Sequence, residues 1–323
     1  MAARLPARPL GTTALAAHAT AGFQHEPVLV ADVVRLASSA FAGAPTAWIV
    51  DCTVGGGGHA DALLRALPEA QLLGLDRDPD AVAAARARLA SHGTRARVAH
   101  TVFSSVAAAT VQHGVGAVRF VLADLGVSSH QFDTPSRGFS LRFDGPLDMR
   151  MDPTQGESLA ERLDSVTVEE LADVLYAYGD IRRSIGTARI VLESVRGGAT
   201  TTAALAALLE RRLDRAGRIH PATQVFQALR MWVNDEEGEL DGWLRSARAL
   251  VDVDGGVLAV ISFHSGEDRA VKYAVAEWER GGQWERVERK PIVASAAEQE
   301  RNPRARSAKL RAVRRRADRV EAS

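Results

Sequence analysis

The segment "VDCTVGGGGHAD", residues 50–61, restricts the fold more than any other part of the chain. Four glycines in series cost backbone entropy and are kept where main chain must come close to something. They follow an apolar run, "AWIVDC", that reads as a buried strand, and they open a helical pattern, "HADALLRALP", stopped by Pro68. The same alternation then recurs. "QLLGLDRDP" predicts a second strand ending in acids, "PDAVAAARARLASHG" a second helix, "RVAHTVFSS" a third strand and "AVRFVLADLGVSS" a fourth. Ahead of them, Val30, Val33, Val34 and Ala37 have helical spacing. Strands alternating with helices predict a doubly wound, mostly parallel α/β sheet with right-handed crossovers.

The alternation stops at "TPSRGFSLRFDGPLDMRMDPTQG", a loop rich in Gly and Pro. Three helical patterns follow with no strand between them: "SLAERLDSVTVEELADVLYAYG", "IRRSIGTARIVLESV" and "TTAALAALLERRLD". Residues 147–220 therefore read as an inserted helical domain. It divides a sheet domain into a first part, 23–146, and a second part, 221–300, with a basic segment at 301–323. The second part opens on one long helix over "HPATQVFQALRMWVNDEEGELDGWLRSARALV". A strand, "GGVLAVISFHS", and a helix, "GEDRAVKYAVAEWE", complete it, with Ser265 expected to cap Asp268 at the helix start.

Length and charge narrow the class. At 323 residues the chain has room for roughly two domains of about 150 residues each. The 40 basic and 40 acidic side chains cancel, but nine basic residues and one acid lie between Arg301 and Arg319. That end is expected to meet a polyanion. Cys52 is the only cysteine, so an internal disulfide and a multi-cysteine zinc site are excluded, and a reducing, cytoplasmic setting is expected. No metal site is expected: His264 and Glu267 alone make a poor ligand pair. Residues 1–22 carry Arg4, Arg8 and no acid, which fits a disordered extension better than an organellar transit peptide.

In an open parallel sheet, ligands sit beyond the carboxyl ends of the strands, where strand order reverses. The glycines after Asp51 lie there, and two ligands suit them. A dinucleotide would use Gly55, Gly57 and Ala60 as G-x-G-x-x-A, with Asp76 on a ribose. S-adenosylmethionine offers a ribose to the same acid and has no pyrophosphate. Asp51, Asp76, Asp78 and Asp124 crowd the strand ends, and that density attracts a sulfonium cation and repels a pyrophosphate. "LADLGVSSHQFD" decides between them, because amine-directed methyltransferases hold the acceptor nitrogen with a short motif at the end of this strand.

Taken together, "HEPVLV", "DCTVGGGGHA", "GLDRDP", "DLGVSS", "RGFS", "GPLDMRMDP", "HPATQVFQALR", "ISFHS" with "EDRAVK", and "NPRARSAKLR" resemble the MraW family. These segments run in order from His25 to Arg311. The resemblance implies a Rossmann-like class I S-adenosylmethionine-dependent methyltransferase domain with an inserted all-helical domain. The implied reaction is methylation of a cytosine N4 in 16S rRNA, within the small ribosomal subunit, and the resemblance leaves room for a homodimer. By position it implies cofactor contacts from Gly57, Gly58, His59, Asp76, Phe103, Asp124 and Gln131, with Asp124 catalytic. Arg137, Arg142 and Arg150 are expected to face RNA from a lid walled by Phe139, Phe143, Met149 and Met151. His264, Arg304, Arg306 and Lys309 complete the expected RNA contacts. Gly266, Gln224 and residues 183–187 depart from the family's usual pattern, which bears on the helical domain's hold on RNA. A nicotinamide-dependent oxidoreductase and a non-catalytic RNA-binding assembly factor are the competing readings. The first requires a hydride-transfer base that the sequence does not offer.

Overall fold

A computed structural model describes residues 27–213, 220–251 and 255–316. The expected N-terminal extension, 1–22, and residues 317–323 of the basic end lie outside the described residues. Seven strands form one sheet. They are Trp48–Asp51 (β1), Gln71–Asp76 (β2), Ala96–His100 (β3), Val118–Asp124 (β4), Val257–Ser262 (β5), Trp284–Arg286 (β6) and Lys309–Arg315 (β7). Their order is β3-β2-β1-β4-β5-β7-β6. β1 to β5 pair in parallel, and β7 runs antiparallel between β5 and β6. This is the doubly wound, mostly parallel arrangement that the alternation of strands and helices predicts. Strand order reverses between β1 and β4, so the crevice opens at Asp51 and Asp124.

Both faces of the sheet are buried at its centre, which explains why β1, β2, β4 and β5 are apolar runs without polar alternation. Ile49, Leu72, Phe120 and Ala259 point to one face, under the helices Val30–Ala40 (α1), Gly58–Ala66 (α2) and Pro79–Leu89 (α3). Val50, Leu73, Val121 and Leu258 point to the other. There they meet Val106–Gln112 (α4), Glu236–Leu250 (α11) and Ser265–Arg280 (α12). Each fully buried Leu, Ile, Val or Phe stabilises the fold by about 1.5–3 kcal/mol. Local signals fix the helix starts. Asp78 caps α3 by accepting from the Asp80 N–H at 3.0 Å, and Pro79 occupies the first helical turn, where its missing N–H costs nothing.

The inserted helices are Leu159–Ser165 (α6), Val168–Gly179 (α7), Ser184–Arg196 (α8) and Thr202–Arg212 (α9). The first expected helix is divided because Thr167 starts a second capping box with Glu170. The helical core also reaches further than 147–220. Phe139 enters it from before, and Val225, Phe226, Leu229 and Val233 of Ala222–Asn234 (α10) enter it from behind. The expected long helix is likewise two, α10 and α11. They break at Asp235, whose left-handed φ of 48° an aspartate tolerates better than most residues.

The basic end differs most from expectation. Lys309 to Arg315 are not a free segment but the strand β7, and Lys309 and Arg311 both bond Asp268, at 3.1 and 2.8 Å. Among the described residues, no helix is long and apolar enough to cross a membrane.

Candidate active site

A cavity of about 820 Å³ opens at the carboxyl ends of β1, β2 and β4, roofed by α7 and α10 of the helical domain. That volume is in the range of about 300–1,000 Å³ usual for small-molecule sites. Asp76 and Asp124 line its floor, and Asp51 is buried beside them. Asp51 ends β1, is 1% exposed, and accepts the Thr53 N–H at 3.2 Å. Burial pushes its carboxyl up to about 7, against the Thr53 bond and with the charge of Asp76 adding. Asp76 ends β2 and takes the Gly55 N–H on one oxygen at 2.8 Å and the Asp78 N–H on the other at 2.9 Å. Burial raises it to about 6 despite those bonds. Each Asp76 oxygen keeps a free lone pair for a vicinal diol.

Asp124 ends β4, and its N–H donates to Thr53 Oγ1 at 2.6 Å. Its carboxyl is held well above the usual range by burial first, then by the charges of Asp51 and Glu267. Oδ1 is buried without a hydrogen-bond partner. Oδ2 lies 3.7 Å from His59 Nδ1. On its other nitrogen, His59 Nε2 is 2.9 Å from the Val28 carbonyl, which can only accept. Nε2 therefore carries the hydrogen, and burial holds the imidazole neutral, with its pKa down at about 4. Nδ1 is left as a lone pair facing Asp124.

The glycine loop is divided between two tasks. Gly55, Gly56, Gly58 and His59 line the cavity, whereas Gly57 does not. Gly57 caps α2 at φ 80° and turns toward α3, where a Cβ would sit 3.3 Å from Ala85 Cα. Its expected cofactor contact thus becomes a packing role. A Cβ on Gly58 would meet Pro27 at 2.3 Å, so that position has no room for a side chain. Phe103 lines the cavity and leans on Trp243 at 6.1 Å between ring centroids. Cys52 is buried, and burial raises its thiol, which suits packing.

Several expected contacts are spent elsewhere. Gln131 lines the cavity, but its amide donates to Asp78 at 2.7 Å and accepts from the Ser128 N–H at 2.9 Å. Arg137 is 6% exposed. It pairs with Asp78 at 2.8 Å and donates to the Arg150 and Met151 carbonyls, so it braces the loop and does not face phosphate. Arg150 is held by Asp148 at 2.7 Å. Phe139, Met149 and Met151 belong to the helical core, and of these only Met151 touches the cavity. The expected lid is mainly the buried bridge between the two domains. Arg142 and Phe143 are exposed and stack on each other, with 5.3 Å from guanidinium to ring.

The α12 end was only partly foreseen. His264, not Ser265, caps the helix: its Nδ1 accepts the Glu267 N–H at 3.4 Å, and Glu267 Oε2 takes the Phe263 and His264 N–H groups. Burial works against the charge of Glu267, yet the His264 contact and these bonds hold its pKa below the usual value. Glu236, His264 and Glu267 bring ligand-type atoms within 4.8 Å of one another, and Arg230 clamps Glu236 with two bonds at 2.7 and 2.8 Å. Sequence reasoning missed Arg230 and Glu236 because neither belongs to a short motif. Arg304 lines the mouth, 5.4 Å over the Phe132 ring, with Ser129 as a partner. Arg306 is exposed. Gln224 and Gly266 lie on the cavity wall, and α8 opens at Ser184 without a side-chain cap.

Comparison with known proteins agrees with this geometry. The family model described as the MraW methylase family matches residues 22–316. "Ribosomal RNA small subunit methyltransferase H" of Synechococcus sp. (strain WH7803) is 46% identical over 304 residues, 92% of this chain and 96% of that one. The protein of the same name in Sorangium cellulosum (strain So ce56) is 46% identical over 297 residues, 91% of each chain. Among solved structures, an rRNA methylase from Streptococcus thermophilus aligns over 89% of this chain and 95% of that one. Its identity is 10% and its TM-score 0.37, which adds nothing to the strand order. With a family match spanning nearly all described residues and a reversed-order sheet carrying the acidic crevice, the chain belongs to the MraW methylase family.

Proposed function

We propose that this protein methylates the exocyclic N4 of a specific decoding-centre cytidine in 16S rRNA, using S-adenosylmethionine. The observation that carries the reading is the Asp124 carboxyl, which lines the cavity between the glycine loop and the start of α12, with no hydrogen-bond partner on Oδ1 and only the neutral His59 ring, 3.7 Å away, facing Oδ2. An aromatic amine with two N–H groups satisfies that acceptor, and a hydride-transfer substrate does not require it.

The residues fit the cofactor. Gly55 and Gly56 present bare main chain, Asp76 keeps lone pairs for a ribose, and Phe103 offers a flat apolar face. Asp76 and Asp124 line the floor with Asp51 buried beside them, and in their ionised forms they favour a cation. When bound, S-adenosylmethionine supplies an electrophilic methyl on a sulfonium. The chain's own contribution is position and charge. The lone pair of cytosine N4 is delocalised into its ring. The Asp124 carboxylate accepts one N–H of the amine, which turns the nitrogen toward a tetrahedral shape and frees its lone pair. As the nitrogen gains a methyl it loses a proton, and Asp124 receives it. His59 Nδ1 is placed to share that proton from Oδ2. The target base must leave its stack to reach this depth.

Tritium transfer from methyl-labelled cofactor into small subunits, free 16S rRNA and tRNA, followed by nucleoside digestion, tests the proposal. Label in N4-methylcytidine from small-subunit RNA is the expected result. Label in another nucleoside, or in none, overturns it.

A further inference from the structure

α12 buries Val271, Val275 and Trp278 against the sheet and turns Arg269, Lys272 and Tyr273 outward. These three lie at i, i+3 and i+4 and share one patch of the helix surface. Arg269 and Tyr273 also stand at the mouth of the cavity. Tyr273 is 65% exposed, an unusual degree for a large ring. Arg269 and Lys272 make no ion pair among the described residues. One turn further Glu277 is exposed and reverses the sign, so the basic patch is confined to the turns beside the mouth. Across the opening, Arg304 supplies another guanidinium.

Charge thus changes sign with depth along the α12 side. The floor carries Asp76, Asp124 and Glu267, whereas Arg269 and Arg304 line the mouth with Lys272 exposed beside Arg269. The exposed acids Asp180, after α7, and Glu237, on α11, keep that part of the lining acidic. A phosphate would be repelled from the floor and held at the rim. A neutral base could pass between them. An exposed ring next to unpaired cations is the pattern that binds single strands, because every base has a face to stack and every nucleotide a phosphate.

We infer that the outward face of α12 at Arg269, Lys272 and Tyr273 is a docking track for single-stranded RNA flanking the target base. Tyr273 stacks on a neighbouring base, and Arg269 and Lys272 hold the phosphates on that side of the mouth. This rests on the RNA reading above, and it assigns to α12 contacts that the buried Arg137 and the paired Arg150 are not free to make.

The test uses the full-length protein and a short single-stranded RNA carrying the target cytidine. Tyr273→Ala weakens binding by about tenfold, and Tyr273→Phe keeps it. Arg269→Gln with Lys272→Gln lowers the slope of log affinity against log salt by roughly 1.4, the contribution of two phosphate contacts on a single strand. In turnover these variants raise KM and leave kcat, and calorimetry finds cofactor affinity within about twofold of wild type. Arg248→Gln, an exposed cation on α11 away from the cavity, changes none of these. Variants that bind and methylate like wild type, with an unchanged salt slope, overturn the track alone. A wild-type protein that does not bind this RNA overturns the track, and one that also leaves small subunits and free 16S rRNA unmethylated overturns the functional reading with it.

Discussion

Asp124 Oδ2 faces His59 Nδ1 at 3.7 Å, and the imidazole hydrogen is committed to the Val28 carbonyl on the far side. His59 is therefore an acceptor toward Asp124, placed to share a proton carried on Oδ2. Asp124→Asn should lower turnover by roughly 10²–10⁴-fold. Its thermal stability at pH 8 should be at least that of wild type, since it removes a buried charge that nothing pairs. Calorimetric unfolding alongside single-turnover kinetics checks both halves.

Cofactor binding should depend on pH. Asp51 and Asp76 have folded-state pKa values of about 7 and 6, raised by burial, and Asp124 is also raised. Ionised carboxylates favour a cation, so affinity should climb between about pH 5 and 8, with protons released on binding. Calorimetry in buffers of different ionisation enthalpy measures that release, and an affinity flat across the window counts against a cationic ligand.

Stability of the free protein should move the other way. With raised carboxylate pKa values the folded state holds more protons than the unfolded one between about pH 4 and 7, so these groups stabilise at low pH and that stability is lost as pH rises. His59, lowered to about 4, opposes them between pH 4 and its ordinary value near 6.5. Three raised carboxylates outweigh one imidazole. The unfolding midpoint should fall from about pH 5.5 to 7.5, and saturating cofactor should flatten that fall.

Much of this arrangement is legible in the sequence, and the rest is not for identifiable reasons. The parallel α/β class and the crevice follow from alternation and from acids at strand ends, because both are periodic or positional signals, whereas the strand order and the antiparallel β7 do not. The loop residues failed in a common way. Gln131 and Arg137 look like exposed polar residues, but both converge on Asp78, 53 and 59 positions earlier in the chain. No local pattern encodes that meeting. Lys309 and Arg311 read as a basic tail because their strand partner, β5, lies about 50 residues upstream across a helix. Gly57 and Gly58 are indistinguishable in sequence, and only the direction of each Cα separates packing from lining.

Arg137 yields a stability prediction in its own right. Arg137→Ala leaves Asp78, which is fully buried, without its cationic partner, held only by the Gln131 amide and the Asp80 N–H, and should cost about 3–5 kcal/mol in urea unfolding. Arg142→Ala, at an exposed position, should change stability by less than about 0.5 kcal/mol.

Gly58→Ala places a methyl 2.3 Å from Pro27 and narrows the loop where the cofactor must lie. A loss of about 1–3 kcal/mol in stability is expected, together with a clear drop in cofactor affinity. Gly57→Ala should lose stability through its φ of 80° and keep most of its affinity, because it turns away from the cavity.

The most direct measurement is a crystal structure of the protein soaked with S-adenosylmethionine. The account predicts the ribose on Asp76, the chain of the nucleoside along Gly55 and Gly56, and the transferable methyl turned toward the Asp124 carboxyl. Density for the nucleoside at any other place, or with its methyl turned away from Asp124, contradicts it.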